Sequence, residues 1–347
     1  MDFRDVFDIT LPIIQAPMAG VQGSALAAAV SSAGGLGSLP CAMLSAQALE
    51  AELASLVALT SAPFNLNFFC HTPPKENAAV EKAWRNLLAP YFEELGLDPN
   101  RIADGPQRKP FDHATADIIE RYKPAVVSFH FGLPDRALLA RVKSWGSVVL
   151  SSATTVAEAR WLQAEGADAV IAQGLEAGGH RGHFLQETLA GQLPLRDLLA
   201  AVVPLVDVPV IAAGGIASAA DVRECLALGA IAAQVGTAYL LSPQANTSAL
   251  HRAAIRLFQP DTTALTNLYS GRPARGIYTR LMKELGPMNA AVPDFPLAST
   301  AVTALRTAAE AQGDGSFSPL WCGERAGACR EVDAGELTRQ LASGLQG

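Results

Sequence analysis

Residues 209–238, PVIAAGGIASAADVRECLALGAIAAQVGTA, predict one strand–helix–strand unit of a parallel sheet. Two short apolar runs, Pro209–Ala213 and Ile231–Val235, have the composition of strands that are buried on both faces. The segment Ala219–Leu228 between them is predicted to be an amphipathic helix, with Ser218 as its N-cap and a glycine just past its end. The unit is therefore typical of an α/β fold.

Six further apolar runs precede this unit, which makes eight predicted strands. They are Leu11–Ala16, Gly35–Leu39, Phe64–Phe69, Ala125–His130, Ser147–Ser151 and Asp168–Gln173. The predicted helices between them are Ser24–Ala33, Ser45–Leu59, Arg136–Lys143 and Val156–Glu165. Eight strands that alternate with helices favour a (β/α)8 TIM barrel, and a doubly wound open sheet is the structural alternative.

The chain is longer than a minimal barrel, which takes about 250 residues. We expect residues 1–246 to form the barrel, with a segment inserted after the third strand at about 71–124. We expect residues 247–347 to form a helical C-terminal extension that contributes to the substrate pocket. The helical stretches in these added segments are predicted near Glu81–Leu95, Ser248–Phe258, Tyr278–Leu285 and Ala298–Ala311.

The composition limits the class of protein. The chain has 347 residues, of which 50% are hydrophobic and 17% are charged. These values are sufficient for a sizeable core and exclude a disordered chain, a coiled coil and a collagen-like rod. The net charge of −7 and the lack of any Lys/Arg block argue against nucleic acid or an anionic membrane as a partner.

The N-terminal region predicts no targeting signal. The first residues, MDFRDVFDIT, are acidic where a secretory signal peptide is basic. Residues Ile9–Leu49 carry no charge, but prolines and glycines interrupt them, so we predict short buried elements rather than a membrane span. The five cysteines are odd in number and scattered. We therefore expect a cytoplasmic protein with reduced thiols.

Glycine-rich loops follow the last two predicted strands. Gly214 and Gly215 come after the seventh strand, and Gly236 and Thr237 come after the eighth. Barrel enzymes often bind phosphate with these two loops and the start of a helix, because glycines let the backbone approach the ligand and free N–H groups favour an anion. The alternative is that the glycines only form tight turns. Two such loops after consecutive strands favour the phosphate site.

A third glycine-rich loop, GLEAGGHRGH at residues 174–183, follows the sixth predicted strand. This position places it at the carboxyl ends of the strands, where catalytic loops lie. His180 offers a side chain that titrates near neutral pH. A solvent loop and a metal site formed by His180 and His183 are the alternatives. The glycines and the absence of an HExxH helix argue against the metal, so we predict no metal site.

Asn67 lies inside the third predicted strand, and Gln173 and Gln234 lie at the ends of the sixth and eighth. A buried amide needs a hydrogen-bond partner, which is either a neighbouring strand or a ligand. We favour a ligand, because a heterocycle with donors and acceptors would use all three amides. His130 ends the fourth strand and could face the barrel mouth. The segment SGRPAR at residues 270–275 combines turn residues with two cations, so it could be a lid, an anion contact or a capped turn.

Taken together, these motifs resemble the nitronate monooxygenases, which are FMN-dependent barrel flavoenzymes. The matching segments are IQAPMAG at Ile14–Gly20, GLEAGGHRG at Gly174–Gly182, AAGGI at Ala212–Ile216, QVGT at Gln234–Thr237 and SGRPAR at Ser270–Arg275. The resemblance extends from Leu11 to Leu285 and is specific as a set. It implies a noncovalent FMN at the barrel mouth.

The resemblance also implies roles for individual residues. The cofactor-binding residues would be Ala16, Pro17, Met18, Asn67, Gln173, Gly178, Gly179, Ala213, Gly214, Gly215, Gln234, Gly236 and Thr237. The family's catalytic histidine falls on His180, and Ser270 and His130 would lie near the substrate. Tyr269, Tyr278 and Lys283 are further candidates for the pocket because of their proximity in sequence.

The implied reaction is the oxidation of an alkyl nitronate, such as propionate 3-nitronate, by O2 to a carbonyl compound and nitrite. His180 would act as a base on a neutral nitroalkane or would position the anionic nitronate. An NAD(P)H-dependent FMN reductase that acts on quinones or enoyl thioesters is the main alternative, because fold and cofactor do not determine the reaction. A non-catalytic flavin binder is a weaker alternative, and a homodimer is left open.

Overall fold

The chain forms a closed barrel of eight parallel strands, as predicted. The computed structural model describes residues 2–75, 77–99, 101–102 and 108–345. In chain order, the strands are β1 (Ile13–Gln15), β2 (Gly37–Pro40), β3 (Phe64–Phe69), β4 (Val126–His130), β5 (Val148–Ala153), β6 (Ala169–Gln173), β7 (Gly179–His180), β8 (Val210–Ala213), β9 (Ala232–Val235), β10 (Thr263–Thr266) and β11 (Ala274–Ile277). The barrel strands pair in the order β1–β9–β8–β6–β5–β4–β3–β2. A parallel bridge between Ile14 and Leu36 closes the ring.

Alternation of side chains along the strands builds two cores. Ile14 and Ile171 point into the barrel, where they pack with the apolar side chains of other strands. Their neighbours Ile13 and Val170 point outward and pack beneath the helices. Both faces of each strand are therefore buried, which explains the nearly continuous apolar runs in the sequence. Phe7, from a short N-terminal helix, belongs to the inner core and is almost fully buried.

The helices that cover the barrel include all of those predicted. In chain order, the helices are α1 (Phe3–Phe7), α2 (Ser24–Ser32), α3 (Ala46–Leu59), α4 (Ala78–Glu94), α5 (His113–Ile119), α6 (Arg136–Ser144), α7 (Val156–Glu165), α8 (Leu195–Val202), α9 (Ala219–Ala227), α10 (Ala249–Arg256), α11 (Arg280–Leu285), α12 (Ser299–Ala311) and α13 (Ala334–Leu341). Helices α1, α5, α8 and α13 were not predicted. None of the helices in the described residues is long and apolar enough to cross a bilayer.

The inserted and C-terminal segments pack against each other. Trp84 of α4 is buried in one cluster with Leu281 of α11 and Leu305 of α12. The indole N–H of Trp84 also donates to the carbonyl of Ala298, just before α12. Helix α13 returns to the barrel, where Leu337 packs in the core beneath the helices. The division of the chain at residue 246 stays a prediction.

A small antiparallel sheet was not predicted. Strand β11 pairs with β10 on one side and with the two-residue strand β7 on the other, so that Ala274 lies opposite His180. The turn before β11 contains Gly271 at φ +91°, where a Cβ atom would lie 2.3 Å from the carbonyl oxygen of Pro293. Only glycine fits this turn. The sheet holds His180 at the mouth of the barrel.

Candidate active site

A cavity of about 280 Å³ lies at the carboxyl ends of the barrel strands, where small-molecule sites of this fold occur. With one exception, the residues predicted to bind the cofactor, to act in catalysis or to lie near the substrate line it. They are Ala16, Pro17, Met18, Asn67, His130, Gln173, Gly178, Gly179, His180, Ala213, Gly214, Gly215, Gln234, Gly236 and Thr237. The exception is Ser270, which is buried and contacts the ring of His180 from outside the cavity.

The loops after β8 and β9 form a cradle of backbone donors. Gly214 and Gly215 have φ values of +113° and +68°, a conformation that favours glycine. The N–H groups of Gly214, Gly215 and Gly236 have no hydrogen-bond acceptor in the part of the chain that the structure describes. Thr237 is the first residue of a single 3-10 turn. Exposed N–H groups on a glycine cradle fit a phosphate anion.

The C-terminal segment completes this cradle, which the sequence did not reveal. Cys322 and Gly323 line the cavity next to the glycine loops. The N–H of Gly323 donates to Oγ1 of Thr237 at 2.9 Å. A Cβ atom on Gly323 would lie 2.7 Å from the carbonyl oxygen of Glu176. Burial raises the pKa of the Cys322 thiol to about 12, so this residue is an uncharged part of the wall.

The three amides predicted to contact a ligand have different surroundings. Oε1 of Gln234 is buried and has no hydrogen-bond partner among the described residues. Nδ2 of Asn67 donates to Oγ of Ser128 at 2.9 Å, which orients this amide from the neighbouring strand. The amide of Gln173 instead holds its own loop, because it donates to the carbonyl of His180 at 3.0 Å and accepts from the N–H of Gly182 at 2.8 Å.

His180 lies in an aromatic enclosure. Its Nε2 is 2.8 Å from Oγ of Ser270. The ring centroids of Phe295 and Trp321 are 5.6 and 5.7 Å from that of His180, and Phe69 and Phe131 lie slightly further away. Burial, followed by the positive charges nearby, holds the pKa of His180 well below its usual range. His180 is therefore neutral at neutral pH.

His130 supports the strand that carries His180. Its Nε2 donates to the carbonyl of His180 at 3.3 Å, and its Nδ1 lies 3.1 Å from Oγ of Ser152. Burial lowers the pKa of His130 to about 3, so its ring stays neutral. Both ring nitrogens are used within the protein. A substrate contact by His130 stays a prediction.

The SGRPAR segment fastens the loop of His180. Arg272 lies over the ring of Phe131, with its Cζ 4.2 Å from the centroid, and donates to the carbonyl of His183. Arg275 donates to the carbonyl of Leu175 at the start of the same loop. Within the described residues, neither arginine lines the cavity. The segment is thus neither a lid nor a direct anion contact in this arrangement.

Several cavity residues come from regions without a recognisable motif. Arg108 comes from the inserted segment, and Trp321 and His251 come from the C-terminal extension. No local pattern marks them, because each reaches the cavity through packing between distant segments. Tyr269, Tyr278 and Lys283 were expected near the pocket. Among the described residues, none of these three lines the cavity.

Within the described residues, the geometry supports neither a metal site nor a ligand contact by Arg181. No three His, Cys, Asp or Glu side chains of the described residues are grouped in a way that could hold a metal ion. Arg181 is fully buried away from the cavity and donates to the carbonyls of Gln173 and Gly174. It therefore stabilises the loop rather than contacting a ligand.

A TIM barrel with a glycine cradle and a partly buried, neutral histidine at the carboxyl ends of its strands has the features of an enzyme that acts on a small molecule. Comparison with known proteins identifies the family. The family model for nitronate monooxygenase matches residues 2–344. The chain belongs to the nitronate monooxygenase family and is an oxidoreductase, as the sequence motifs implied.

Individual relatives agree with this assignment. The chain is 43% identical over 350 residues to a nitronate monooxygenase of Pseudomonas aeruginosa, with 99% of each chain covered. It is 41% identical over 337 residues to that of Paraburkholderia phytofirmans, with 96% of this chain and 92% of the relative covered. A solved structure of nitroalkane oxidase from Streptomyces ansochromogenes is 38% identical, with a TM-score of 0.88 over 99% of this chain and 97% of that chain.

The barrel also resembles a more distant structure, FabK from Thermotoga maritima. That structure has a TM-score of 0.70 and 24% identity, with 97% of this chain and 93% of that chain covered. At this level of identity, the likeness concerns the fold alone.

Proposed function

We propose that this enzyme binds FMN and oxidises alkyl nitronates, such as propionate 3-nitronate, with O2 to a carbonyl compound and nitrite. One observation carries the proposal. The neutral, partly buried His180 faces the same cavity as a glycine cradle of the kind that binds phosphate. Membership in the nitronate monooxygenase family supports the reaction class.

The residues around the cavity fit FMN. The N–H groups of Gly214, Gly215 and Gly236 would donate to the phosphate. The N-terminus of the short 3-10 helix that begins at Thr237 would add its partial positive charge. The unpartnered Oε1 of Gln234 would accept a hydrogen bond from the ring system. The remaining proposed contacts are Ala16, Pro17, Met18, Asn67, Gln173, Gly178, Gly179 and Ala213. When bound, the flavin supplies the electron transfer from the nitronate to O2.

The charges of the cavity favour an anionic substrate. Among the described lining residues, the charged ones are three arginines, Arg108, Arg306 and Arg325, and one glutamate, Glu310. The aromatic side chains around His180 keep water away, which strengthens electrostatic interactions at this end of the cavity. A nitronate carries one negative charge on its two oxygens. It would therefore be attracted into this end of the cavity.

His180 would act on the substrate through its Nδ1. Nε2 is engaged with Ser270, and Nδ1 makes no hydrogen bond within the described residues. With the proton on Nε2, which then donates to Ser270, Nδ1 is a base that can remove the α-proton of a neutral nitroalkane. With the proton on Nδ1, the ring donates a hydrogen bond to a nitronate oxygen. The Ser270 hydroxyl accommodates both tautomers, because it can accept or donate.

Anaerobic mixing tests the proposal. The purified yellow protein is mixed separately with propionate 3-nitronate, NADH and NADPH, and the flavin absorbance is followed. We expect reduction by the nitronate and none by the nicotinamides, and nitrite should accumulate when O2 is admitted. Rapid reduction by a nicotinamide, with no response to the nitronate, would instead favour a reductase of quinones or enoyl thioesters. A protein that responds to neither would be a flavin binder.

A further inference from the structure

Arg108 presents a positive charge to the cavity. It lines the main cavity and a neighbouring one between α4 and the start of α12. Its guanidinium donates to Oγ of Ser299. Burial lowers the pKa of Arg108, and the nearby positive charge of Arg306 lowers it further. In the described part of the chain, no carboxylate forms an ion pair with it. A partly buried cation without a partner is costly, so a ligand that supplies the opposite charge is expected.

The other cations of the cavity have partners within the protein. Arg306 pairs with Glu310 at 2.7 Å, and Arg325 lies 3.5 Å from Asp221. Arg108 is therefore the arginine of the described lining that remains available for an anion.

Phe295 places Arg108 and His180 at the same end of the cavity. The Cζ atom of Arg108 lies 5.8 Å from the ring centroid of Phe295, and the ring of His180 lies 5.6 Å from it. The buried ring of Phe295 therefore packs against both side chains. Since His180 and Arg108 both line the cavity, a short ligand can contact His180 with one end and Arg108 with the other.

We infer that Arg108 is a specificity-determining residue that binds a carboxylate at the far end of the substrate. This inference rests on the proposed function, in which His180 contacts the nitronate. The preferred substrates would be short-chain nitronates with a second, carboxylate charge. A guanidinium binds a carboxylate with two parallel N–H donors, which a substrate without the carboxylate cannot use.

Comparison of two substrates tests the inference. Propionate 3-nitronate and 1-propyl nitronate have the same carbon chain, but the second has a methyl group in place of the carboxylate. For Arg108→Met, we expect the ratio of kcat/KM for the first substrate to that for the second to fall about 10- to 100-fold, the range for a charge-assisted hydrogen bond. Arg108→Lys, which keeps the charge but not the two-donor geometry, should give an intermediate ratio.

Arg85→Met is the matched control. Arg85 lines the neighbouring cavity, is half exposed and lies 3.7 Å from Glu81. Its removal should change the ratio by no more than about fivefold, since exposed charges contribute little. An unchanged ratio in Arg108→Met would overturn the inference. So would an equal loss of kcat/KM for both substrates, because Arg108 would then act on the nitronate group or on the fold.

A binding experiment separates failure of the inference from failure of the proposed function. Calorimetric titration of the flavin-loaded protein with 3-nitropropionate and with 1-nitropropane requires no turnover. If nitronates are not oxidised but 3-nitropropionate binds at least about 10-fold more tightly to the wild type than to Arg108→Met, the anion site stands and the reaction is wrong. If nitronates are oxidised and Arg108→Met binds 3-nitropropionate as well as the wild type does, the inference is wrong and the reaction stands.

Discussion

Gly215→Asp places a side chain and a negative charge in the proposed phosphate cradle. Gly215 has a φ of +68°, and a Cβ atom on it would lie 3.2 Å from Cβ of Glu176. The left-handed conformation costs a non-glycine residue about 1–2 kcal/mol, with aspartate at the lower end. This cost affects folding with or without ligand, so it lowers the unfolding free energy rather than the affinity for FMN.

The loss of affinity comes from repulsion between the new carboxylate and the phosphate. Two unit charges about 5 Å apart interact with about 3 kcal/mol at an effective dielectric constant of about 20. This energy corresponds to about a 100-fold increase in the dissociation constant of FMN. The adjacent Glu176 leaves the new carboxylate little room to turn away from the phosphate.

The assay measures flavin content after gel filtration and the dissociation constant of FMN by fluorescence quenching. Gly146→Asp is the control, because Gly146 has a φ of +87° and no atom within 4 Å of a built Cβ. Gly146 follows α6 and precedes β5, at the end of the barrel away from the cavity. The control should lose thermal stability to a similar extent and keep its flavin. Wild-type affinity in Gly215→Asp would refute the placement of the phosphate at this loop.

Three further outcomes are expected. His180→Ala should keep its flavin and lose about 10²- to 10⁴-fold in kcat with a neutral nitroalkane, the usual contribution of a proton-transferring side chain; a wild-type kcat with the nitroalkane would show that His180 is not the base. Trp84→Ala empties a site that is 1% exposed and should lower the unfolding free energy by about 3–5 kcal/mol in a urea titration; a loss below about 1 kcal/mol would contradict the packing of α4. Stability should also fall as the pH decreases from about 6.5 towards about 4, because burial lowers the pKa values of His71, His183 and His251 to about 4 while the unfolded chain takes up protons near 6.5. A constant unfolding free energy between these pH values would show that these rings are not buried as neutral groups.

The barrel and the loops that line its cavity at the carboxyl ends of the strands could be predicted from local sequence. Each strand is a short run that is apolar on both faces, because the inner core and the covering helices bury both. The glycine loops after β8 and β9, and the loop of His180 after β6, were predicted at the carboxyl ends of the strands. A residue that directly follows a strand is placed by that strand, so local sequence is sufficient to locate it.

Local sequence was less informative about hydrogen bonds. Gln173 lines the cavity, and its ligand contact stays a prediction, but the sequence did not indicate that its amide also connects the carbonyl of His180 with the N–H of Gly182. The position of Gln173 at the cavity follows from its strand. Its partners depend on how the next ten residues fold back over that strand, and β7 takes this path because it pairs with β11.

The side chains that enclose His180 are brought together by packing between distant segments. Arg108 comes from the inserted segment, and Phe295 and Trp321 come from the C-terminal extension. Each of the three lies more than seventy positions from His180 along the chain. Neither periodicity nor spacing in the sequence therefore indicates a contact. These residues meet because α4 and α12 bury their apolar faces against each other at the barrel mouth. Burial of apolar surface depends on area and not on sequence separation, and for this reason the selective end of the cavity appears only in the folded chain.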